Sequence, residues 1–201
     1  MYSGGMSSIT VRAAAILAAG AAAVSLAACG GSSSSDHAAH SSTTAAAPSE
    51  VATHNADDVV FAQNMIPHHE QAVEMAGLAQ ANTTNPDVIA LANAISSAQL
   101  PEIQAFKAWL VQWNEPSTAA HGAMGMTGMV DQATMDQLNA LRGPEFDKLW
   151  LQSMIAHHQG AITMAQQEVA HGQNEDVVSM AKLIISTQQA EIDKMKPLVG
   201  G

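Results

Sequence analysis

Met65-Ile66-Pro67-His68-His69 and Met154-Ile155-Ala156-His157-His158 are one motif written twice, 89 residues apart. The match runs well beyond the motif. Of the 45 positions from Gln63 to Lys107, 19 are identical to the residue 89 places on, with no gap. Chance agreement in an alanine-rich chain gives only a handful, so the chain carries a duplicated unit. Each copy brings a His-His pair flanked by methionines. Imidazole and thioether are the donors that soft metal ions prefer.

The apolar residues around both motifs recur at helical spacing. On a helical wheel Phe61, Met65, His68, His69, Ala72, Met75, Ala76 and Ala79 share one face. Trp150, Met154, His157, His158, Ala161, Met164 and Ala165 repeat that face. Helices are predicted from about Asp57 to Ala81, capped by Asp57 or Asp58, and from Pro86, capped by Asn85, to Trp113. A third long helix is predicted from Glu145 to Ala170 and a fourth from Glu175 to Leu198. Pro67 and Pro101 fall inside the first two, where each removes a backbone donor and predicts a bend. A loop over 114–130 and a short helix over 131–141, closed by Gly143 and Pro144, join the repeats. Repeat 1 spans 57–113 and repeat 2 spans 145–199, and the fold class is all-α. Two helical hairpins pack into a four-helix bundle with pseudo-twofold symmetry, since neither hairpin alone buries its apolar face.

The second helix of each hairpin carries a carboxylate in its apolar stripe. Gln99 and Glu102 lie among Val88, Leu91, Ile95, Ile103 and Phe106, and Gln188 and Glu191 repeat them. A carboxylate there is costly unless something pairs with it, and the facing histidines are the partners available. Such contacts also orient metal-binding imidazoles through their second ring nitrogen, so these four residues are expected behind the ligands. The same contacts can simply satisfy buried polar groups and fix the register of a bundle. The loop adds His121, Met124, Met126 and Met129 between glycines. Packing gives no reason to place three thioethers on a loop, and thioethers bind Cu(I) and Ag(I) far better than Zn(II), Mg(II) or Ca(II).

The N-terminus reads as an export signal. One charged residue, Arg12, precedes an apolar, small-residue run from Ala13 to Ala28 that is short for a membrane span. It ends in Leu26-Ala27-Ala28-Cys29, which resembles a bacterial lipobox. The sole cysteine, Cys29, would then carry lipid and anchor the chain to the outer side of the cell membrane, with residues 29–56 as a flexible Ser/Ala/Thr tether. That leaves no disulfide and no thiolate metal site. His37 and His40 lie in the tether. After Cys29 there are six Lys or Arg against eighteen Asp or Glu. This excess argues against nucleic acid as a partner and suits cations, or simply solubility.

The segments Phe61–Ala76 and Phe146–Ala165, with Gln99-x-x-Glu102-Ile103 and Gln188-x-x-Glu191-Ile192, resemble the domain-of-unknown-function 305 family across Asp57 to Leu198. The resemblance implies a ferritin-like four-helix bundle in an exported bacterial protein, often a lipoprotein. Some members are implicated in periplasmic copper or silver binding and copper tolerance. By position it implicates Met65, His68, His69, Met75, Met154, His157, His158 and Met164, with His121, Met124, Met126 and Met129 of the loop. The resulting expectation is a non-enzymatic Cu(I)-binding lipoprotein, with Ag(I) as an alternative ion and copper-handling proteins as possible partners.

Two other classes compete. A ferritin-like di-iron enzyme needs Glu-x-x-His on each of two helices, but only Glu168-x-x-His171 fits, and its counterpart is Ala79-x-x-Asn82. Haem held by His and Met is a similar outsider. A surface lipoprotein with a purely structural His–Glu core is the third reading. No Ser-His-Asp pattern or glycine-rich phosphate loop points to hydrolysis.

Overall fold

Asn55, not Asp57 or Asp58, caps the first helix. Its side-chain oxygen accepts from the backbone N–H of Asp57 and Asp58 at 2.9 and 3.0 Å, and Asp58 returns a bond to the Asn55 N–H. The computed structural model describes residues 53–118 and 127–200. The signal and lipid-anchor segment with Cys29, the tether histidines His37 and His40, and the loop residues His121, Met124 and Met126 lie outside those residues.

Helix α1 spans Ala56–Asn82 and runs unbroken through Pro67. A three-residue turn leads to α2, Pro86–Gln112, with Asn85 as N-cap, Pro86 in the first turn and Pro101 inside. Helix α3, Gln132–Ala140, is capped by Asp131. Helix α4 spans Gly143–His171, so Gly143 and Pro144 open this helix rather than close the one before. Arg142 at its N-cap makes no side-chain capping bond, its guanidinium donating instead to the Asn139 and Leu141 carbonyls, and Pro144 needs no N–H partner in a first turn. Helix α5, Glu175–Met195, is capped by Asn174 and ends earlier than predicted, in a 3-10 turn over Lys196–Gly200. The described residues are all helix or connection, as the all-α bundle requires. No described helix is long and apolar enough to cross a membrane.

The packing follows the repeat. Helix α1 lies along α2, α4 lies along α5, and α1 meets α4. The Trp150 indole N–H donates to the Met75 carbonyl at 2.9 Å and pins α4 to α1. The buried apolar residues form two clusters rather than one. The first holds Ala72 to Ala79 of α1, Val88 to Ile95 of α2, Phe146 to Met154 of α4 and Ile192 and Met195 of α5, with Met135 and Leu138 of α3. The second holds Val59 to Ile66 of α1, Ile103 to Leu110 of α2, Ala161 to Ala165 of α4 and Val177 to Ile184 of α5. In α1 and α4 the four histidines fall between the two clusters. A polar waist therefore divides two apolar cores, and α1 and α4 run antiparallel through both.

Candidate metal centre

Each His pair projects two rings from one face of its helix into the waist, and all four rings are fully buried. His68 and His157, equivalent residues of the two repeats, meet with ring centroids 3.8 Å apart and planes tilted by 38°. Equivalent residues in mutual contact mark the pseudo-twofold axis, so it passes between them. His69 and His158 lie outboard, 6.5 and 6.4 Å from their neighbours by ring centroid.

The outboard rings are held as the duplication predicts. His69 Nε2 is 2.8 Å from Glu102 Oε2, and His158 Nε2 is 2.7 Å from Glu191 Oε2. A carboxylate only accepts, so Nε2 carries a hydrogen in both rings and Nδ1 is the nitrogen left to face the waist. Neither Nδ1 has a partner. His68 Nε2 donates to the Thr127 carbonyl at 3.2 Å, which likewise leaves Nδ1 bare. Among the described residues His157 has no partner at either nitrogen. Buried polar atoms are almost always paired, so this concentration of orphaned imidazole nitrogen is unusual.

Burial disfavours the charged form of His68, His69 and His157. Desolvation, and then the charge of neighbouring His69, lowers His68 from 6.5 to about 3. Desolvation and then His68 hold His157 well below 6.5. His69 is lowered by desolvation against the opposing pull of Glu102. Neutral imidazole is the form that binds metal.

The thioethers flank the waist, grouped across the repeats rather than within them. Met65 and Met164 share one apolar cluster, Met154 and Met75 the other, and all four are buried. Met65 and Met154 lie one turn from their own histidines, roughly 4.5 Å along the axis, whereas Met75 and Met164 lie about twice as far. Gln99 and Gln188 are buried beside the waist, but neither bonds an imidazole. Both side-chain atoms of Gln99 and the oxygen of Gln188 lack partners. The carboxylate one turn further along each helix is the one whose reach matches the ring. Met129 is the only predicted loop ligand among the described residues, and it is half-buried.

The end of that loop docks on one side only, through a residue the sequence reading passed over. Gly128 has φ +80°, and its backbone lies directly on Gly160 of α4. A Cβ at Gly160 would strike the Thr127 carbonyl and the Gly128 Cα, so only glycine fits there. Gln71 of α1 completes the dock, accepting from the Val130 N–H and donating to its carbonyl, each at 2.8 Å. Gly160 and Gln71 occupy equivalent places in the repeats. Their difference was the available signal. Glu168, at the far end of α4, was also missed as a site residue. It is 2% exposed, both its oxygens lack a donor, and His171 beside it is exposed.

Among the described residues no three of His, Cys, Asp and Glu converge on one point. The waist therefore offers scattered nitrogen donors with sulfur on either side rather than a ready cage of nitrogen and oxygen.

The sequence matches the family described as Domain of unknown function (DUF305) over residues 58–199. Solved structures agree with the fold. A DUF305 protein from Streptomyces coelicolor, described as secreted, is 31% identical, with a TM-score of 0.69 over 72% of this chain and 92% of that one. A DUF305 fragment from Deinococcus radiodurans is 28% identical, with a TM-score of 0.67 over 73% and 97%. CopM in its Cu(I)-bound form is 30% identical, with a TM-score of 0.60 over 70% and 94%. CopM is also solved in Cu(II)-bound, Ag-bound and apo forms. No curated protein matches the chain.

Proposed function

The chain belongs to the DUF305 family, and from that premise we propose that it is an extracytoplasmic, non-enzymatic protein that binds soft cations, Cu(I) foremost and Ag(I) as its analogue. The observation that carries this reading is the set of five buried, partnerless ring nitrogens on His68, His69, His157 and His158. A purely structural His–Glu core accounts for Nε2 of His69 and His158 and leaves those five unexplained. A metal ion accounts for one nitrogen of each ring, four of the five, the fifth being the remaining N–H of His157. Glu102 and Glu191 hold the outboard rings from behind, in the manner that aims the remaining nitrogen of a metal-bound imidazole.

The donor set fits the ion. Cys29 is the sole thiol, so sulfur comes from methionine, which favours Cu(I) and Ag(I) over harder ions. Met65 and Met154 are the sulfur donors nearest the rings, with Met75 and Met164 as outer members. His121, Met124, Met126 and Met129 would collect or cover the ion. The relatives support the same chemistry, since CopM is solved with Cu(I), Cu(II) and Ag. Thioether and imidazole exchange readily, which suits buffering or handover to copper-handling proteins. A lipid at Cys29 and the tether over 29–56 would hold the bundle at the membrane face. One relative's description as secreted supports the extracytoplasmic location.

Titration of the purified chain with Cu(I) against a competing chelator tests the reading. Affinity tighter than micromolar is expected. Changing all four histidines to alanine should abolish it while the helical circular dichroism remains. Weaker binding in the parent chain, or unchanged binding in that variant, ends the proposal. Loss of residues 121–129 should weaken uptake without abolishing it.

A further inference from the structure

The second repeat carries a buried acid that the first lacks. Glu168 of α4 stands where α1 has Ala79, and it lies on the seam between the end of α4 and the start of α1. It lines a cavity of about 30 Å³ with Asp57, Asn64, Gln167 and Met164. That volume holds one water molecule or one small ion. Val60 and Phe61 complete the wall, so four of its seven side chains carry oxygen, and none is basic.

Glu168 needs a positive or donating partner, because a buried carboxylate without one is strongly disfavoured. The described residues donate to neither oxygen. Asp58, next to it, is already committed to other work. It accepts from the backbone N–H of Asn55 at 2.6 Å, of Gln173 at 3.1 Å and of Asn174 at 3.0 Å, tying the first turn of α1 to the cap of α5. Asp58 therefore adds negative charge beside Glu168 and offers it no hydrogen. Burial first, then a hydrogen bond from the protonated Glu168 to Asp58 and the charges of Asp58 and Asp57, push Glu168 from 4.5 up to about 8. Either a proton or a metal cation can meet that demand.

We propose that this cavity is a second cation site, distinct from the imidazole waist, which takes one divalent ion through the oxygens of Glu168, Asp57, Asn64 and Gln167. Carboxylate and amide oxygens select divalent ions that soft sulfur sites ignore. The site exists once per chain, because Ala79 has no ligand to offer in the equivalent place. It stands on its own geometry and does not depend on what the histidines bind.

Manganese(II) is the probe, since it prefers oxygen donors and its free ion has a strong paramagnetic resonance signal. Titrated with Mn²⁺, the full metal-free chain should remove one equivalent of that signal at submillimolar concentration. Glu168→Gln should weaken this binding by at least about tenfold while leaving Ag(I) binding unchanged. Asp57→Asn, at an exposed rim position with little packing to lose, should weaken it by a smaller factor and serves if Glu168→Gln fails to fold. No Mn²⁺ binding below millimolar in the parent chain overturns the proposal. So does parental affinity in either variant, and the demand of Glu168 is then met by a proton shared with Asp58.

Discussion

The two repeats agree in the interior and part company at the edges. Inside, the His69–Glu102 and His158–Glu191 contacts differ by 0.1 Å, and the four thioethers flank the waist in matched pairs. Outside, the chain linking the repeats leans on one side. Thr127 satisfies His68 and leaves His157 bare, Gln71 grips Val130 where its equivalent is Gly160, and Glu168 replaces Ala79. One connection cannot satisfy two symmetric surfaces at once. The repeat thus kept what a twofold interior needs and released what a single connection must break.

The sharpest test of interior equivalence is removal of the carboxylates. Glu102→Ala and Glu191→Ala should each destabilise the chain by about 3 kcal/mol, because each leaves a buried imidazole N–H without its charged acceptor. Urea unfolding should give the two variants the same midpoint. A difference above about 1 kcal/mol, beyond the scatter expected for matched sites, would break the comparison.

Gly160→Ala should be next, at about 2 kcal/mol, since the new methyl group must push the Thr127–Gly128 backbone off α4. Its signature is release of the loop, read as faster amide exchange at Gly128 and Val130. An unchanged exchange pattern would mean that the dock does not depend on this approach.

The pH dependence of stability sharpens the edge comparison. Unfolded histidine takes its proton near 6.5, whereas folded His68 refuses one down to about 3. Between these values the unfolded chain binds more protons, so stability falls as pH drops below 6.5, with His69 and His157 acting in the same direction. Glu168 acts oppositely. Its folded value of about 8 lies above its ordinary 4.5, so the folded chain holds the extra proton and stability falls as pH rises towards 8. For the metal-free chain the thermal midpoint should therefore peak near 6.5. Glu168→Gln should flatten the alkaline side and, by removing the opposing slope between 4.5 and 6.5, steepen the acid side. Persistence of the alkaline decline in that variant would acquit Glu168.

The smallest effect expected is from Gln71→Ala, about 1 kcal/mol for two hydrogen bonds to the half-buried Val130 backbone. Stability equal to the parent would show that the Gly128–Gly160 contact alone seats the loop.

The sequence was a reliable guide wherever the repeat and the helical period acted together. The faces holding Met65, His68 and His69 and their equivalents, and the Glu102 and Glu191 partners, could be read because 89-residue identity and helical spacing select the same positions. Legibility failed where a contact far along the chain chose between local options. Asn55, Asp57 and Asp58 are all competent caps. Asn55 prevails in part because Asp58 is drawn to Gln173 and Asn174, 115 and 116 residues away. Gly143 and Pro144 stop one helix as readily as they start another. Gly160 reads as a weak helix former until the approach of Gly128 gives it a purpose. Gln99 and Gln188 looked like partners for the histidines because polarity was read without reach.

The division into two apolar clusters has a consequence for how such a molecule can be dismantled. Each cluster draws on both hairpins, so residues 53–118 alone contain part of each and the whole of neither. A lone hairpin would meet its missing halves only by finding a second molecule, and its folding would then become a matter of concentration. Joining the halves in one polypeptide makes that encounter intramolecular, and completion of the two clusters becomes independent of how dilute the protein is.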